Sequence, residues 1–283
     1  MNTPEIRGTT RLLGLIGDPV THSFSPTMHN AALVALGLDA VYVPLEVHPE
    51  NLEAAVRGLQ ACGWWGFNVT IPHKQAIVPF LDRLESPAHQ VGVVNTVRIE
   101  TDGSLTGTNT DAEGFVQPLT VRQWIGKTAL ILGCGGSAFA VVAGCQALGF
   151  DQIFVVGRNS EKLKDFAARL PNPQGVKTAD WFMAESLLPR ADLLVNTTPI
   201  GMVPDIENSP LENLKALSKG AIVYDLIYRP RPTRLLQIAQ SGNLVCIDGL
   251  AMLVAQGAAA LQFWTGKVPP IEIMTQAALR ALE

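Results

Sequence analysis

Residues 127–148 read KTALILGCGGSAFAVVAGCQAL, and this stretch decides the fold. KTALILG is a near-continuous apolar run, of the kind that forms a strand buried on both faces of a parallel sheet. GCGGSA follows at once, then an apolar segment of helical length, so strand, glycine turn and helix come in direct succession. Gly133, Gly135 and Ala138 carry the G-x-G-x-x-G/A spacing, with Cys134, Gly136 and Ser137 between them. In that spacing the first glycine permits a tight turn and the second lets backbone approach a pyrophosphate. The small third residue allows close helix–strand packing, and the anion sits at the helix N-terminus. Glycine-rich strand–helix turns also occur without a ligand. The further strand QIFVVG, right after the helix, favours the dinucleotide reading.

The end of that further strand bears on which dinucleotide. Sites for NAD usually place Asp or Glu about twenty residues on, to hold the ribose 2′-hydroxyl. Here the strand ends FVVGRNSEK, with Gly157 and Arg158 where an acid would stand and Asn159, Ser160 and Lys162 after them. A guanidinium can grip a 2′-phosphate through a bidentate fork, so NADP is expected over NAD. The plainer reading of Arg158 is a solvated surface charge.

Outward from this turn, strand-like and helix-like segments alternate almost throughout, which argues an α/β architecture. Downstream, ADLLVNTT, AIVYDLIY and NLVCID read as strands, and PTRLLQIAQ as a helix. They complete a doubly wound, Rossmann-like nucleotide-binding domain over residues 113–248. Upstream, RLLGLIG, AVYVPLEV and WWGFNVT read as strands, and VGVVNTVRIE with SLTGTNT as a hairpin around Asp102-Gly103. That gives a first α/β domain over residues 1–112. Two helices over residues 249–283 are expected to return to it.

With 283 residues, 47% hydrophobic and 16% charged, the chain has enough apolar surface for a large core. A net charge of −4 argues against nucleic acid or an anionic membrane as partner. Four cysteines without a CxxC pair fit a reduced, cytoplasmic compartment. The N-terminal apolar run, broken by Gly14, Gly17, Asp18 and Pro19, reads as strand and turn and not as a signal sequence. No histidine shows ligand spacing, so no metal is expected.

The first half sets polar residues among apolar ones. GFNVTIPHK (66–74) places Asn68, Thr70 and Lys74 around a strand end, before what reads as a Pro-started helix with Thr70 as its cap. THSFSP sets Ser23 and Ser25 two apart before a helix, with capping accounting in part for Ser25. GVVNTV buries the amide of Asn95, which needs partners. GTNTDAEGF opens a helix at Asp111, either as a cap or as a carboxylate in a site, and Gln256 interrupts the apolar helix AMLVAQG. Hydroxyls, amides, one ammonium and one carboxylate suit a small polyhydroxylated substrate. An NADP site beside them suggests hydride transfer at a carbinol carbon.

In these motifs the chain resembles the shikimate dehydrogenase family over nearly its whole length. The family's S-x-S stands at Ser23–Ser25, N-V-T-x-P-x-K at Asn68–Lys74, V-N-T at Val94–Thr96 and N-T-D at Asn109–Asp111. Y-D-x-x-Y stands at Tyr224–Tyr228 and G-x-x-M-L-x-x-Q at Gly249–Gln256. The family's N-R-T is represented by Gly157-Arg158-Asn159, with only the Arg kept. The resemblance implies NADP-dependent interconversion of 3-dehydroshikimate and shikimate, in aromatic amino acid (chorismate) biosynthesis. Lys74 and Asp111 would be the catalytic pair at the reacting oxygen and would also contact the substrate. Ser23, Ser25 and Tyr228 would hold the substrate carboxylate. Asn68, Thr70, Asn95 and Gln256 would meet ring hydroxyls or position their neighbours. The cofactor would be met by Gly133, Cys134, Gly135, Gly136, Ser137, Gly157, Arg158, Asn159, Lys162, Thr197, Leu226, Gly249 and Met252. With substrate and cofactor on different domains, closure is expected to exclude water. Two alternatives stand beside this: a quinate/shikimate dehydrogenase preferring NAD, and a non-catalytic metabolite sensor, which would lose Lys74 or Asp111. The oligomeric state is left between monomer and homodimer.

Overall fold

A computed structural model describes residues 5–86 and 88–282; residues 1–4 of the expected first domain, with 87 and 283, lie outside the described residues. The chain divides into two compact units, Met1–Glu113 with Val254–Glu283, and Gly114–Leu253.

In the first unit, the apolar run from Leu12 forms β1 (Arg11–Gly17), whose second half is fully buried. Helix α1 (Ser25–Ala35) starts where Pro26 stands in its first turn. Strand β2 (Ala40–Glu46), helix α2 (Leu52–Ala61), β3 (Gly66–Val69), β4 (Arg83–Leu84) and the short α3 (Ala88–Val91) follow. The expected hairpin is β5 (Thr96–Ile99) and β6 (Leu105–Thr108), and α4 (Asp111–Val116) comes next. The six strands form one mixed sheet in the order β2-β1-β3-β5-β6-β4. Strands β1, β2 and β3 are parallel, and β5 runs antiparallel to both β3 and β6. Because of those directions, the C-terminal ends of β3 and β6 and the N-terminal end of β5 share one edge. Asn68 pairs with Thr96, and Thr96 with Thr108.

The second unit contains β7 (Thr128–Leu132), α5 (Gly136–Ala147), β8 (Gln152–Gly157), α6 (Ser160–Ala168), β9 (Val176–Asp180), α7 (Ala184–Leu187) and β10 (Leu193–Asn196). It continues through β11 (Ile222–Asp225), α8 (Arg234–Ser241) and β12 (Val245–Ile247). Its sheet is all parallel, in the order β12-β11-β10-β7-β8-β9. Counting from β7, that is the doubly wound order 3-2-1-4-5-6 read from the other edge. Leu130, Leu132, Val156, Leu194 and Val223, all within a sheet covered on both faces, are fully buried. Strand β9 has no counterpart among the strands expected from the sequence. It is an edge strand with no buried residue, so it lacks the apolar run that marks its neighbours.

Helices α9 (Gly249–Thr265) and α10 (Ile271–Leu282) end the chain, and α10 packs on α1 within the first unit. Among the described residues no helix is long and apolar enough to cross a membrane.

Candidate active site

The polar edge of the first sheet is built strand by strand. Asn68, next to last in β3, is buried; its amide nitrogen donates to the Asn95 carbonyl at 3.1 Å and to Thr96 Oγ1 at 2.9 Å. Asn95, just before β5, is equally buried, and its amide nitrogen donates to Thr110 Oγ1 at 3.0 Å and Asp111 Oδ1 at 2.9 Å. Asp111 receives its second donor from Lys74, whose Nζ lies 2.5 Å from Oδ2. The side chains of Lys74 and Asp111 are 18% and 9% exposed, so the pair is largely desolvated, and removing either partner would leave an uncompensated charge.

The turn after β3 holds Lys74 differently from the helix that the sequence suggested. Residues 71–77 form successive turns that lead into one 3₁₀ turn at Val78–Phe80. The reason lies in the Lys74 carbonyl, which accepts the Val94 N–H at 2.8 Å instead of closing a helical bond. Lys74 is thereby tied to the segment that carries Asn95. His73 is turned away, its ring nitrogen 2.6 Å from the Val47 carbonyl. Thr70 is half-buried, and its backbone N–H donates to the Ile16 carbonyl at 2.9 Å.

Helix α4 is capped by Asn109, whose Oδ1 accepts the N–H of Asp111 at 3.0 Å and of Ala112 at 3.4 Å. Capping was the competing account of Asp111. With Asn109 in that role, the Asp111 carboxylate is directed to Lys74 and Asn95. Thr96 and Asn109 were not singled out from the sequence, although both lie within the V-N-T and N-T-D motifs. The serines also exchange parts. Ser23 Oγ accepts the Ser25 N–H at 3.2 Å, so Ser23 fixes the turn, and Ser25 is the buried first residue of α1. Gln256 is half-buried within α9.

In the second unit the candidate cofactor residues gather at the C-terminal ends of the strands. Gly133 has φ +103°, and a Cβ there would lie 2.8 Å from Thr197 Oγ1 and 2.9 Å from Thr198 Cγ2. Only glycine fits this point between β7 and β10, where the strand order reverses and α/β sheets bind ligands. Gly135 and Gly136 have nothing within 4 Å of a built Cβ, and no side chain caps α5. With Gly135 and Gly136 exposed and no side-chain cap, the start of α5 is open enough to receive a pyrophosphate. Cys134 and Ser137 are half-buried beside it. Thr197 Oγ1 donates to the Leu132 carbonyl at 2.8 Å. Leu226 lies under Gly249, where a Cβ would meet the Leu226 carbonyl oxygen at 2.0 Å, and Met252 is buried one turn further along α9.

Gly157 ends β8 and is buried, whereas Arg158 and Lys162 are exposed. Asn159 caps α6 by accepting the Lys162 N–H at 2.9 Å. Arg158 has no ion pair or hydrogen bond among the described residues. Tyr228 also belongs to this unit and is half-buried, with burial pushing its phenol pKa up.

The class these two regions define is that of the nicotinamide-dependent α/β dehydrogenases. Residues 15–97 match the model of the shikimate dehydrogenase substrate binding domain, and residues 249–279 that of the shikimate 5′-dehydrogenase C-terminal domain. The chain is 50% identical over 286 residues to a shikimate dehydrogenase (NADP(+)) of Nostoc sp., covering 98% of this chain and 99% of that protein. A crystal structure of a shikimate dehydrogenase in complex with NADP+ superposes at a TM-score of 0.90 with 39% identity, over 99% of each chain. The shikimate 5-dehydrogenase of Thermus thermophilus, in complex with NADP(H) and shikimate, superposes at 0.86 with 34% identity, over 96% of this chain and 100% of that one. The chain belongs to the shikimate dehydrogenase family.

Proposed function

We propose that the protein catalyses the reversible NADP-dependent reduction of 3-dehydroshikimate to shikimate, a step of aromatic amino acid biosynthesis. The observation that carries this reading is the Lys74–Asp111 pair, held in a buried hydrogen-bonded edge with no competing cation within hydrogen-bonding reach of Asp111 among the described residues. Reduction of a ketone builds negative charge on its oxygen, which a positioned ammonium stabilises and then protonates. In the reverse direction the neutral amine of Lys74 takes the hydroxyl proton. Asp111, fixed by Asn95 and the Asn109 cap, aims the lysine at the reacting oxygen.

Bound NADPH would supply the hydride, and NADP⁺ would accept it in the reverse direction. The chain's part there is to hold and orient. The α5 N-terminus with Gly133, Gly135 and Gly136 would receive the pyrophosphate, and Arg158 with Lys162 the 2′-phosphate. Cys134, Ser137, Gly157, Thr197, Leu226, Gly249 and Met252 would line the remaining cofactor contacts, with Asn159 presenting Arg158 from the α6 cap.

We assign Ser23, Ser25 and Tyr228 to the substrate carboxylate, and Thr70, Asn68 and Gln256 to ring hydroxyls. Asn95 has both amide hydrogens engaged within the protein, so its part is to position Asp111. We assign residues 1–112 to substrate binding and catalysis, 113–248 to NADP binding, and the helices of 249–283 to support of the substrate side. Free thiols at Cys62, Cys134, Cys145 and Cys246 support a reducing, cytoplasmic setting.

The test is the absorbance of reduced cofactor, with shikimate and quinate each offered with NADP⁺ and NAD⁺. Fastest turnover with shikimate and NADP⁺ is expected. Turnover confined to quinate with NAD⁺ would replace this reading with the quinate alternative, and none with any pair would remove it.

A further inference from the structure

The hydrogen bonds that reach Asp111 run in one direction, and two backbone groups set it. Asn68 Nδ2 faces the Asn95 carbonyl, which can only accept, so Oδ1 is the end of the Asn68 amide that meets Tyr42. The Tyr42 hydroxyl is 2.8 Å from that oxygen and must donate. The Thr110 N–H, 2.8 Å from Asn95 Oδ1, can only donate, so the Asn95 nitrogen is the end that meets Asp111. Between the two amides, Thr96 Oγ1 takes a hydrogen from Asn68 and gives its own to Asn95 Oδ1 at 2.9 Å. Donation therefore passes from Tyr42 to Asn68, Thr96, Asn95 and Asp111. Both Asn68 hydrogens are engaged, and what it keeps for a ligand is the second lone pair of Oδ1.

Tyr42 is held rigidly. It is fully buried on β2, with the His29 ring stacked on it at 4.4 Å and 13°. Trp264 leans on both rings, at 5.6 Å from His29 and 6.1 Å from Tyr42, and its indole N–H donates to the Val97 carbonyl at 2.9 Å. Neither His29 ring nitrogen has a hydrogen-bond partner, and burial lowers its pKa to about 3. The imidazole is therefore a neutral slab that does not compete for the Tyr42 hydrogen.

We propose that Tyr42, backed by His29, is a positioning residue for substrate selection. The Asn95 carbonyl makes Asn68 Oδ1 the acceptor end, and Tyr42, by donating to that oxygen, holds it in place so that its remaining lone pair takes a ring hydroxyl and turns away the reacting carbonyl. The inference rests on the reading of Asn68 as a substrate contact. The Ser25 side chain also bears on the same phenol, so the test must separate the two routes.

Tyr42→Phe keeps the ring and its stack and removes only the donor. The experiment compares wild type, Tyr42→Phe, Asn68→Ala and the double variant, reading KM for shikimate, KM for NADP⁺, kcat and thermal midpoint. Tyr42→Phe should raise the shikimate KM roughly three- to tenfold, the worth of one hydrogen bond, with kcat within about twofold and the NADP⁺ KM unchanged. In the Asn68→Ala background the same change should do nothing further. An unchanged shikimate KM in Tyr42→Phe overturns the proposal, and so does a rise that persists without Asn68, which would assign the effect to Ser25. A wild-type KM in Asn68→Ala instead overturns the underlying contact. Should Asn68→Ala fail to fold, Asn68→Ser takes its place.

Discussion

The polar edge of the first sheet and the glycine turn of the second are built in opposite ways. At the first, the amides of Asn68 and Asn95 and the carboxylate of Asp111 are engaged by one another and by Thr96, Thr110 and Lys74. At the second, the α5 N–H groups have no side-chain cap, and Arg158 stands exposed without a partner among the described residues. A saturated network in a buried place fixes geometry before any ligand arrives, since a loose member would leave a neighbour unsatisfied. An open N-terminus with a free guanidinium leaves its electrostatic capacity to an anion. In the proposed function the first region serves chemistry, where position counts. The second would serve binding, where charge counts. Changes at Lys74 and Asp111 should therefore appear in kcat, changes at Asn68 in the shikimate KM, and changes at the second region in cofactor affinity.

The largest expected effect is at Asp111. Asp111→Asn keeps the shape but replaces the carboxylate that orients Lys74, and kcat should fall by roughly 10²–10⁴-fold, the usual span for a group serving proton transfer. Steady-state rates would show it, and a loss confined to NADP⁺ affinity would break the division between the two regions.

At the other region the expected loss is smaller and of another kind. Arg158→Ala should weaken NADP⁺ by roughly ten- to a hundredfold, the worth of a charge-assisted contact, and leave NAD⁺ almost unchanged. The gap should narrow at high salt, because the side chain is exposed. Titration of both cofactors checks this, and equal losses for both would make Arg158 a structural residue.

A third expectation concerns stability, because a carboxylate of the second unit is buried without a cation among the described residues. Asp225 is fully buried and accepts from Thr233 Oγ1 at 2.6 Å, Asn196 Nδ2 at 3.0 Å and the Ile227 N–H at 3.1 Å. Desolvation outweighs these bonds and pushes its pKa up to about 6. The folded state therefore holds its proton more tightly than the unfolded chain, whose carboxyl titrates near 4. Stability from this group is full below about pH 4 and is lost as pH rises through about 6. Relative to Asp225→Asn, the wild type should lose about 2–3 kcal/mol over that interval. Denaturation of both at several pH values measures it, and a constant difference would show that Asp225 titrates normally.

The glycine turn was legible in the sequence because each of its parts is local. A buried strand, two glycines and a helix follow one another within 22 residues, and the parallel sheet forms around them. The polar edge was legible as residue types but not as bonds. Tyr42 reads as an ordinary strand residue, since its partner Asn68 lies 26 positions away and only the β2-β1-β3 order brings them together. The turn at residues 71–77 was mistaken for a helix because Pro72 is a good helix starter. The contrary signal, the Val94 N–H bound to the Lys74 carbonyl, is a long-range contact. Likewise Ser23 and Ser25 were recognised as a pair, but which hydroxyl fixes the turn depends on backbone geometry that residue type does not encode.

In the proposed mechanism Lys74 acts on the reacting oxygen and contributes little to holding the substrate. That role is tested most directly by measuring turnover and shikimate binding on one preparation of Lys74→Ala. Turnover should fall roughly 10²–10⁴-fold, with shikimate affinity close to wild type and thermal stability retained well enough for the titration. Near-normal turnover would contradict it, and so would a loss of shikimate affinity large enough to account for the whole fall in rate.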